Sequence, residues 1–227
     1  MFKHFLLFCT LLLSANSFSQ NPIGTGNLSD GFKIMRGDTK GTPFLTEDWY
    51  VGYGIYENGE TTRPQRLNYD IHGNNLVYKV GASETVNKLL DTNFKGFALK
   101  SEEKDYLFTR LDGSKFEKEK DQAKYYQIVE APSKKVIIEF TKELEDPNAG
   151  GWTSSMNNTT TAEYEMNTSY YILNRNGKYE EVKLRKNSVL RTLGDKKEQI
   201  KAYISRNNLS LDTPEELLRI VEYYYSL

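Results

Sequence analysis

From Trp49 to Leu184 apolar and polar side chains alternate with a period of two, and from Ser188 the period changes to about 3.6. That change confines the chain to a strand-rich body followed by a helical tail. Trp49, Val51, Tyr53 and Ile55 alternate with Tyr50, Gly52, Gly54 and Tyr56. Successive side chains of a strand point to opposite faces, so this pattern predicts a strand. Asn58-Gly59 follows, a tight-turn pair in which both residues tolerate positive φ. Leu67, Tyr69 and Ile71 form the next alternation, His72-Gly73-Asn74-Asn75 a turn, and Leu76, Tyr78 and Val80 another strand. Further strands are expected near 84–90, 94–100, 105–111, 124–130, 135–143, 163–173 and 178–184. Turns fall at Asp112-Gly113, Ala131-Pro132-Ser133 and Asn176-Gly177. Many short strands at regular spacing predict an antiparallel meander, curled into a partial barrel or a sandwich-like sheet. No strand–helix alternation interrupts residues 49–184, which argues against a doubly wound parallel sheet.

In the tail, Ser188 is expected to cap a short helix carrying Val189, Leu190 and Leu193. Asp195 is expected to cap a second, with Ile200, Tyr203 and Ile204 on one face and Asn207-Asn208 as its stop. Thr213-Pro214-Glu215-Glu216 starts a third. Thr213 can accept the Glu216 N–H, Pro214 suits the first helical position, and Glu216 can reach back. Leu217, Leu218, Val221 and Tyr225 give it an apolar stripe. Such helices cannot bury their stripes alone, so they are expected to dock on the sheet or close one end of it. The fold class is therefore α+β, an antiparallel β meander followed by two or three C-terminal helices.

Ahead of the body, Lys3 and His4 precede the apolar run Phe5–Leu13, and Ser17-Phe18-Ser19 supplies a small-x-small pattern. Together these predict a signal peptide at residues 1–19, cut after Ser19. The run is far shorter than the roughly 20 apolar residues that span a bilayer, so no transmembrane segment is expected in the mature chain. Residues 20–43, with five glycines, form an expected irregular lead-in, 44–185 the β-rich body, and 186–227 the helical tail. Cleavage removes Cys9, the only cysteine, so the mature chain is expected to be free of cysteine and disulfides. A lipidated Cys9 is disfavoured by the bulky Phe8 before it and by the apolar run after it. The expected location is periplasmic or extracellular.

Composition limits the chemistry. The mature chain carries 29 basic residues against 31 acidic ones, which is no footprint for nucleic acid. His72 is its one imidazole and lies in a turn. The usual zinc constellations therefore lack ligands, a Ser-His-Asp triad would have to use this turn histidine, and no G-x-S-x-G elbow is present. Asp146, Asn148, Asn157 and Asn158 flank the polar segment 150–161, but their spacing matches no EF-hand. Gly37-Asp38-Thr39-Lys40-Gly41-Thr42 has the composition of a phosphate loop without its spacing or its strand-to-helix setting. Arg36-Gly37-Asp38 is read as a chance tripeptide in the expected irregular lead-in, and no cofactor is expected.

Glu163 and Glu165 share one face of a strand and are the pair of acids named here for glycoside hydrolysis, although acids on a strand ordinarily face water and, with 31 acids in the chain, some pair must be close. Lys115–Asp121, KFEKEKD, reads as a solvated hairpin end. Tyrosines outnumber phenylalanines 16 to 7 after cleavage, and a tyrosine offers an apolar face with a hydroxyl that wants a partner. Trp49, Tyr53, Tyr69 and Tyr78 fall on adjacent expected strands and are candidates to line one face as a ligand wall. Half-buried sheet faces favour aromatics anyway, so packing is the first account of them. Trp152, in the polar Gly/Ser/Asn/Thr segment, is the strongest single candidate for an external contact.

Three stretches, GTPFLTEDWYVGYGIYENGE (41–60), RLNYDIHGNNLVYKV (66–80) and IKAYISRNNLSLDTPEELLRIVEYYYSL (200–227), resemble uncharacterised secreted proteins of Bacteroidota. The resemblance implies an envelope or extracellular location and carries over no functional residue. The leading functional expectation is a non-catalytic binding or interaction module of the cell envelope, with an envelope protein, a glycan or a small apolar ligand as partner. The alternatives are a carboxylate-dependent glycan hydrolase and a structural component of a surface assembly.

Overall fold

The computed structural model describes residues 25–27, 39–89, 94–102, 104–145 and 161–227. The expected signal segment, Cys9, Arg36-Gly37-Asp38, the four residues flanking the polar segment, and Trp152 lie outside the described residues. The strands are β1 (Thr25–Asn27), β2 (Tyr50–Tyr56), β3 (Gln65–Asp70), β4 (Asn75–Lys79), β5 (Val86–Leu89), β6 (Phe94–Lys100), β7 (Tyr106–Leu111), β8 (Lys124–Glu130), β9 (Ser133–Glu145), β10 (Glu163–Leu173) and β11 (Tyr179–Val182). They form one antiparallel sheet in the order β1-β5-β4-β3-β2-β6-β7-β8-β9-β10-β11. Two meanders are thus joined back to back: after β5 the chain returns to lay β6 on the free side of β2. The lead-in is less irregular than its glycines suggest, because β1 pairs with β5.

Register assigns the two faces. Directly opposed residues share a face. Gly54, Phe97, Phe108, Gln127, Ile138, Tyr170 and Val182 are linked pair by pair across seven strands and form the inner row. Tyr53, Ala98, Leu107, Ile128, Ile137, Tyr171 and Glu181 form the neighbouring row on the outer face. The inner face holds an aromatic core in which Phe97 stacks on Phe108 at 4.5 Å, with Tyr69 and Tyr125 set against Phe97 at 5.7 and 5.1 Å. The sheet is curled enough for Lys40–Leu45 to bridge β10 to β3. Lys40 N–H donates to Ala162 O, Tyr164 N–H to Lys40 O, Leu45 N–H to Tyr69 O and Ile71 N–H to Pro43 O. Lys142 of β9 fixes this bridge by donating to the Thr42 and Phe44 carbonyls. The body therefore begins ahead of residue 44.

Helices α1 (Lys186–Thr192), α2 (Lys197–Arg206) and α3 (Pro214–Ser226) cover the inner face of β8–β11. Val129, Val136, Ile138, Ile172 and Val182 of the sheet pack there against Val189, Leu193, Ile200, Ile204, Leu217 and Val221. Phe140 touches this cluster and the aromatic one, so the core is continuous. Thr213 caps α3 as expected, its hydroxyl accepting the Glu216 N–H at 3.3 Å, while Glu216 reaches back to the Asp212 N–H at 3.0 Å. The other two caps differ. Arg185 and Lys196 hold the N-cap positions of α1 and α2 without side-chain bonds. Ser188 lies inside α1 and takes the Lys183 N–H, and Asp195 sits in the short 3-10 turn Gly194–Lys196, near Arg175. No helix among the described residues is long and apolar enough to cross a membrane.

Candidate functional site

The β7–β8 connection folds over the outer face. Asp112 starts it by accepting the Ser114 N–H, and the chain turns at Gly113–Lys115. A Cβ on Gly113 would lie 1.8 Å from the Lys120 carbonyl oxygen, so only glycine allows the two ends of this loop to meet. Phe116 then runs beside Tyr179, with the Glu117 N–H donating to Tyr179 O at 2.9 Å. The Phe116 ring is buried against Tyr126, Ile137, Tyr171 and Tyr179.

Lys120 ends this loop with its ammonium in an aromatic cage. Nζ lies 4.6 Å from the Tyr171 ring centroid, 4.9 Å from Phe116 and 5.6 Å from Tyr126. It donates to Glu139 Oε2 and, at 2.9 Å, to the Tyr171 hydroxyl, which itself donates to Glu139 at 2.8 Å. Lys124 stands 3.4 Å from the other Glu139 oxygen. Only 5 % of Glu139 is exposed. Burial pushes its carboxyl up, but the Lys120 and Tyr171 hydrogen bonds and the two lysine charges outweigh that and hold it below the usual glutamate range. Burial and the Glu139 charge raise the Tyr126 and Tyr171 hydroxyls, and burial pushes Tyr179 up to about 12. The Tyr126 hydroxyl is buried and has no hydrogen-bond partner among the described residues, a costly state for a polar group.

Beside the cage opens a cavity of about 400 Å³. Phe116, Lys120, Tyr171 and Tyr179 form its floor, and Glu117, Glu119 and Glu181 stand around it with Lys118; Glu180, also at its edge, turns its carboxylate to the helix side and accepts from the Thr192 hydroxyl at 3.4 Å. None of the three outward carboxylates is in an ion pair among the described residues, although Glu117 accepts from the Asn174 amide and Glu181 from the Ser169 hydroxyl. Aromatic faces backed by a carboxylate attract cations, so the arrangement can hold a positively charged group. It supplies no activated nucleophile.

The candidates named from sequence do not form one wall. Tyr50 pairs with Leu67, so Tyr53, three residues on, points to the outer face. Tyr69 and Tyr78 are buried in the inner aromatic core. The glycines of β2 face inward because neighbours fill their space: a Cβ on Gly54 would meet the Phe94 ring at 2.7 Å. Tyr53 lines a second outer cavity, of about 430 Å³, with Ala98, Leu107 and Ile128. Trp49 packs edge-on against Phe44, with the Lys79 ammonium 4.7 Å from its centroid. Glu163 and Glu165 are exposed on the outer face, directly opposite Glu145 and Glu143. Four acids lie open to water there, which leaves the pair without a cleft. His72 is exposed, its Nδ1 3.2 Å from the Lys142 carbonyl and its ring against Tyr164 at 5.6 Å. Among the described residues no group of three or more His, Cys, Asp or Glu could hold a metal ion.

Sequence reasoning missed the cage. KFEKEKD is not simply solvated: Phe116 is 1 % exposed and Lys120 turns in. The one available signal was an aromatic residue within a charged run, four positions before a lysine. Comparison of the chain with protein-family models, with curated proteins and with solved structures gave no match.

Proposed function

We propose that this protein is a non-catalytic binding module exported to the bacterial cell envelope, and that it takes its ligand in the outer cavity beside Lys120. The cavity carries the reading. An aromatic floor with several converging polar groups is the general form of a small-molecule site, and about 400 Å³ lies within the usual size for one. Export is supported by the basic start, apolar run and small-x-small pattern of residues 1–19. The resemblance of residues 41–60, 66–80 and 200–227 to secreted Bacteroidota proteins agrees with it.

Two measurements test the proposal. N-terminal sequencing of native protein from fractionated cells is expected to begin at Gln20, and retention of Met1 overturns export. Native mass spectrometry of the mature protein, incubated with small molecules extracted from envelopes, is expected to find a retained ligand. Glu181→Trp, which sets an indole at an exposed rim position, is expected to lose it. Equal retention by both proteins removes the cavity as the site.

A further inference from the structure

The Lys120 ammonium occupies a cage assembled from three elements: Phe116 of the connecting loop, Tyr126 of β8 and Tyr171 of β10. Glu139 of β9 lies beneath it. Three ring faces around one cation, with a buried carboxylate behind, is the arrangement that selects alkylated and primary ammonium groups. Lys120 does not close the cage off. Its side chain remains 24 % exposed, and Lys120, Phe116 and Tyr171 are also floor residues of the adjoining cavity. The cavity rim carries three outward carboxylates, of Glu117, Glu119 and Glu181, outside any described ion pair against the single ammonium of Lys118. A second observation points the same way: the fully buried Tyr126 ring, one wall of the cage, keeps a hydroxyl with no partner among the described residues.

We infer that this site binds a small organic cation, an amine or quaternary ammonium with a short polar arm, and that Lys120 is its built-in competitor. The inference rests on the outer cavity being the ligand site and adds the chemical class of the ligand. An entering cation takes the place of the Lys120 ammonium against Phe116, Tyr126 and Tyr171 and pairs with Glu139. Lys120 swings out toward Glu117 and Glu119. No bond is made or broken, and the charge on Glu139 stays compensated throughout. An internal occupant lowers the apparent affinity in proportion to the time it fills the cage, so removing it tightens binding.

The probe is choline chloride, titrated calorimetrically into the folded mature protein at low ionic strength. The neutral analogue 3,3-dimethyl-1-butanol has the same shape without the charge and serves as control. Choline is expected to bind and the alcohol is not. Lys120→Ala is expected to bind choline roughly tenfold tighter. Glu119→Gln with Glu181→Gln, both at exposed positions, is expected to weaken binding at least roughly threefold. Equal binding of alcohol and choline overturns the inference, as does a folded Lys120→Ala protein whose affinity is unchanged or lower. Should Lys120→Ala not fold, the doubly substituted protein decides, and unchanged affinity there overturns the inference. Choline heat absent from both the wild type and every folded variant also overturns it. Phosphatidylcholine vesicles run in parallel separate the sources of the same chemistry: co-sedimentation without choline heat overturns a free cation in favour of a headgroup. The ligand class and the cavity fail separately. Loss of the envelope-derived ligand in Glu181→Trp without any choline binding removes the cation and keeps the site.

Discussion

Replacing Glu139 by glutamine tests whether the outer-face charge cluster holds the β7–β8 connection to the sheet. The substitution keeps shape and removes charge. In the native protein one carboxylate accepts from Lys120 and Tyr171 and faces Lys124 at 3.4 Å, while only 5 % exposed. Lys120 and Tyr171 both donate to Oε2, and an amide oxygen there can still accept from both, but both bonds lose their charged acceptor and the amide NH2, in place of Oε1, is set against the Lys124 ammonium. A hydrogen bond to a charged group contributes about 1.5–3 kcal/mol. Breaking a fully buried pair costs about 3–5 kcal/mol, but Lys120 is a quarter exposed and can turn to water. Together these place the loss near 2 kcal/mol at neutral pH, or roughly 4–8 °C in Tm for a chain of this size. The loss also depends on pH. The folded carboxyl is held below its usual range, so the unfolded chain takes up the proton first as pH falls. The stabilisation is whole above the ordinary glutamate range and disappears as pH falls through the folded value. Urea denaturation of both proteins near pH 7 and at stepwise lower pH is expected to show two curves that converge on acidification. A difference under about 0.5 kcal/mol at neutral pH, the level of an exposed pair, or one that does not change with pH, would refute the account.

Phe97→Ala removes the ring stacked on Phe108 and touching Tyr69 and Tyr125; calorimetry is expected to show a loss of about 3–5 kcal/mol and a Tm roughly 10 °C lower, and a loss below about 1.5 kcal/mol would mean the core collapses around the gap. Thr213→Ala leaves the Glu216 N–H without its cap; about 1 kcal/mol is expected in denaturant titration, and no change would mean that the Glu216 bond to Asp212 suffices alone. Trp152→Ala is expected to weaken association with envelope extract at unchanged Tm, and unchanged association removes that residue from the binding surface.

Which residues form strands was written plainly, because alternation and turn chemistry are local. Asn176-Gly177 turns where expected, with Gly177 at φ +75°, and β6, β8 and β10 fall on their expected segments. The order of the strands was not local. Nothing between Leu89 and Phe94 states that β6 returns to β2 rather than continuing outward from β5. Facing was ambiguous for the same reason. In β2 the alternation of Val51 and Ile55 with Gly52 and Gly54 does not say which set faces the core, and the inner positions are those of Gly52 and Gly54. The large rings of β6 occupy that space: Phe94 lies over Gly54, and Phe97 is its direct partner. A strand can be buried by its neighbours' side chains, and then its own hydrophobicity does not name the inner face.

The cage shows the limit from the other side. A charged run is ordinarily a solvated one because isolated charges resist burial. In Lys115–Asp121 two residues break that expectation together. Phe116 can be buried only if the loop lies flat on the sheet, and once it does, Lys120 arrives over Tyr171 with Glu139 one strand away. Glu139 is itself improbable from sequence alone, an acid between Ile138 and Phe140 on a strand with a buried centre. Burial of that acid makes sense only with an ammonium above it, and burial of the ammonium only with the acid below. The two lie 19 residues apart, and neither position explains itself alone. Single-position reasoning therefore assigns both to solvent or to error, whereas reading them as a complementary pair makes the loop's docking follow from its chemistry.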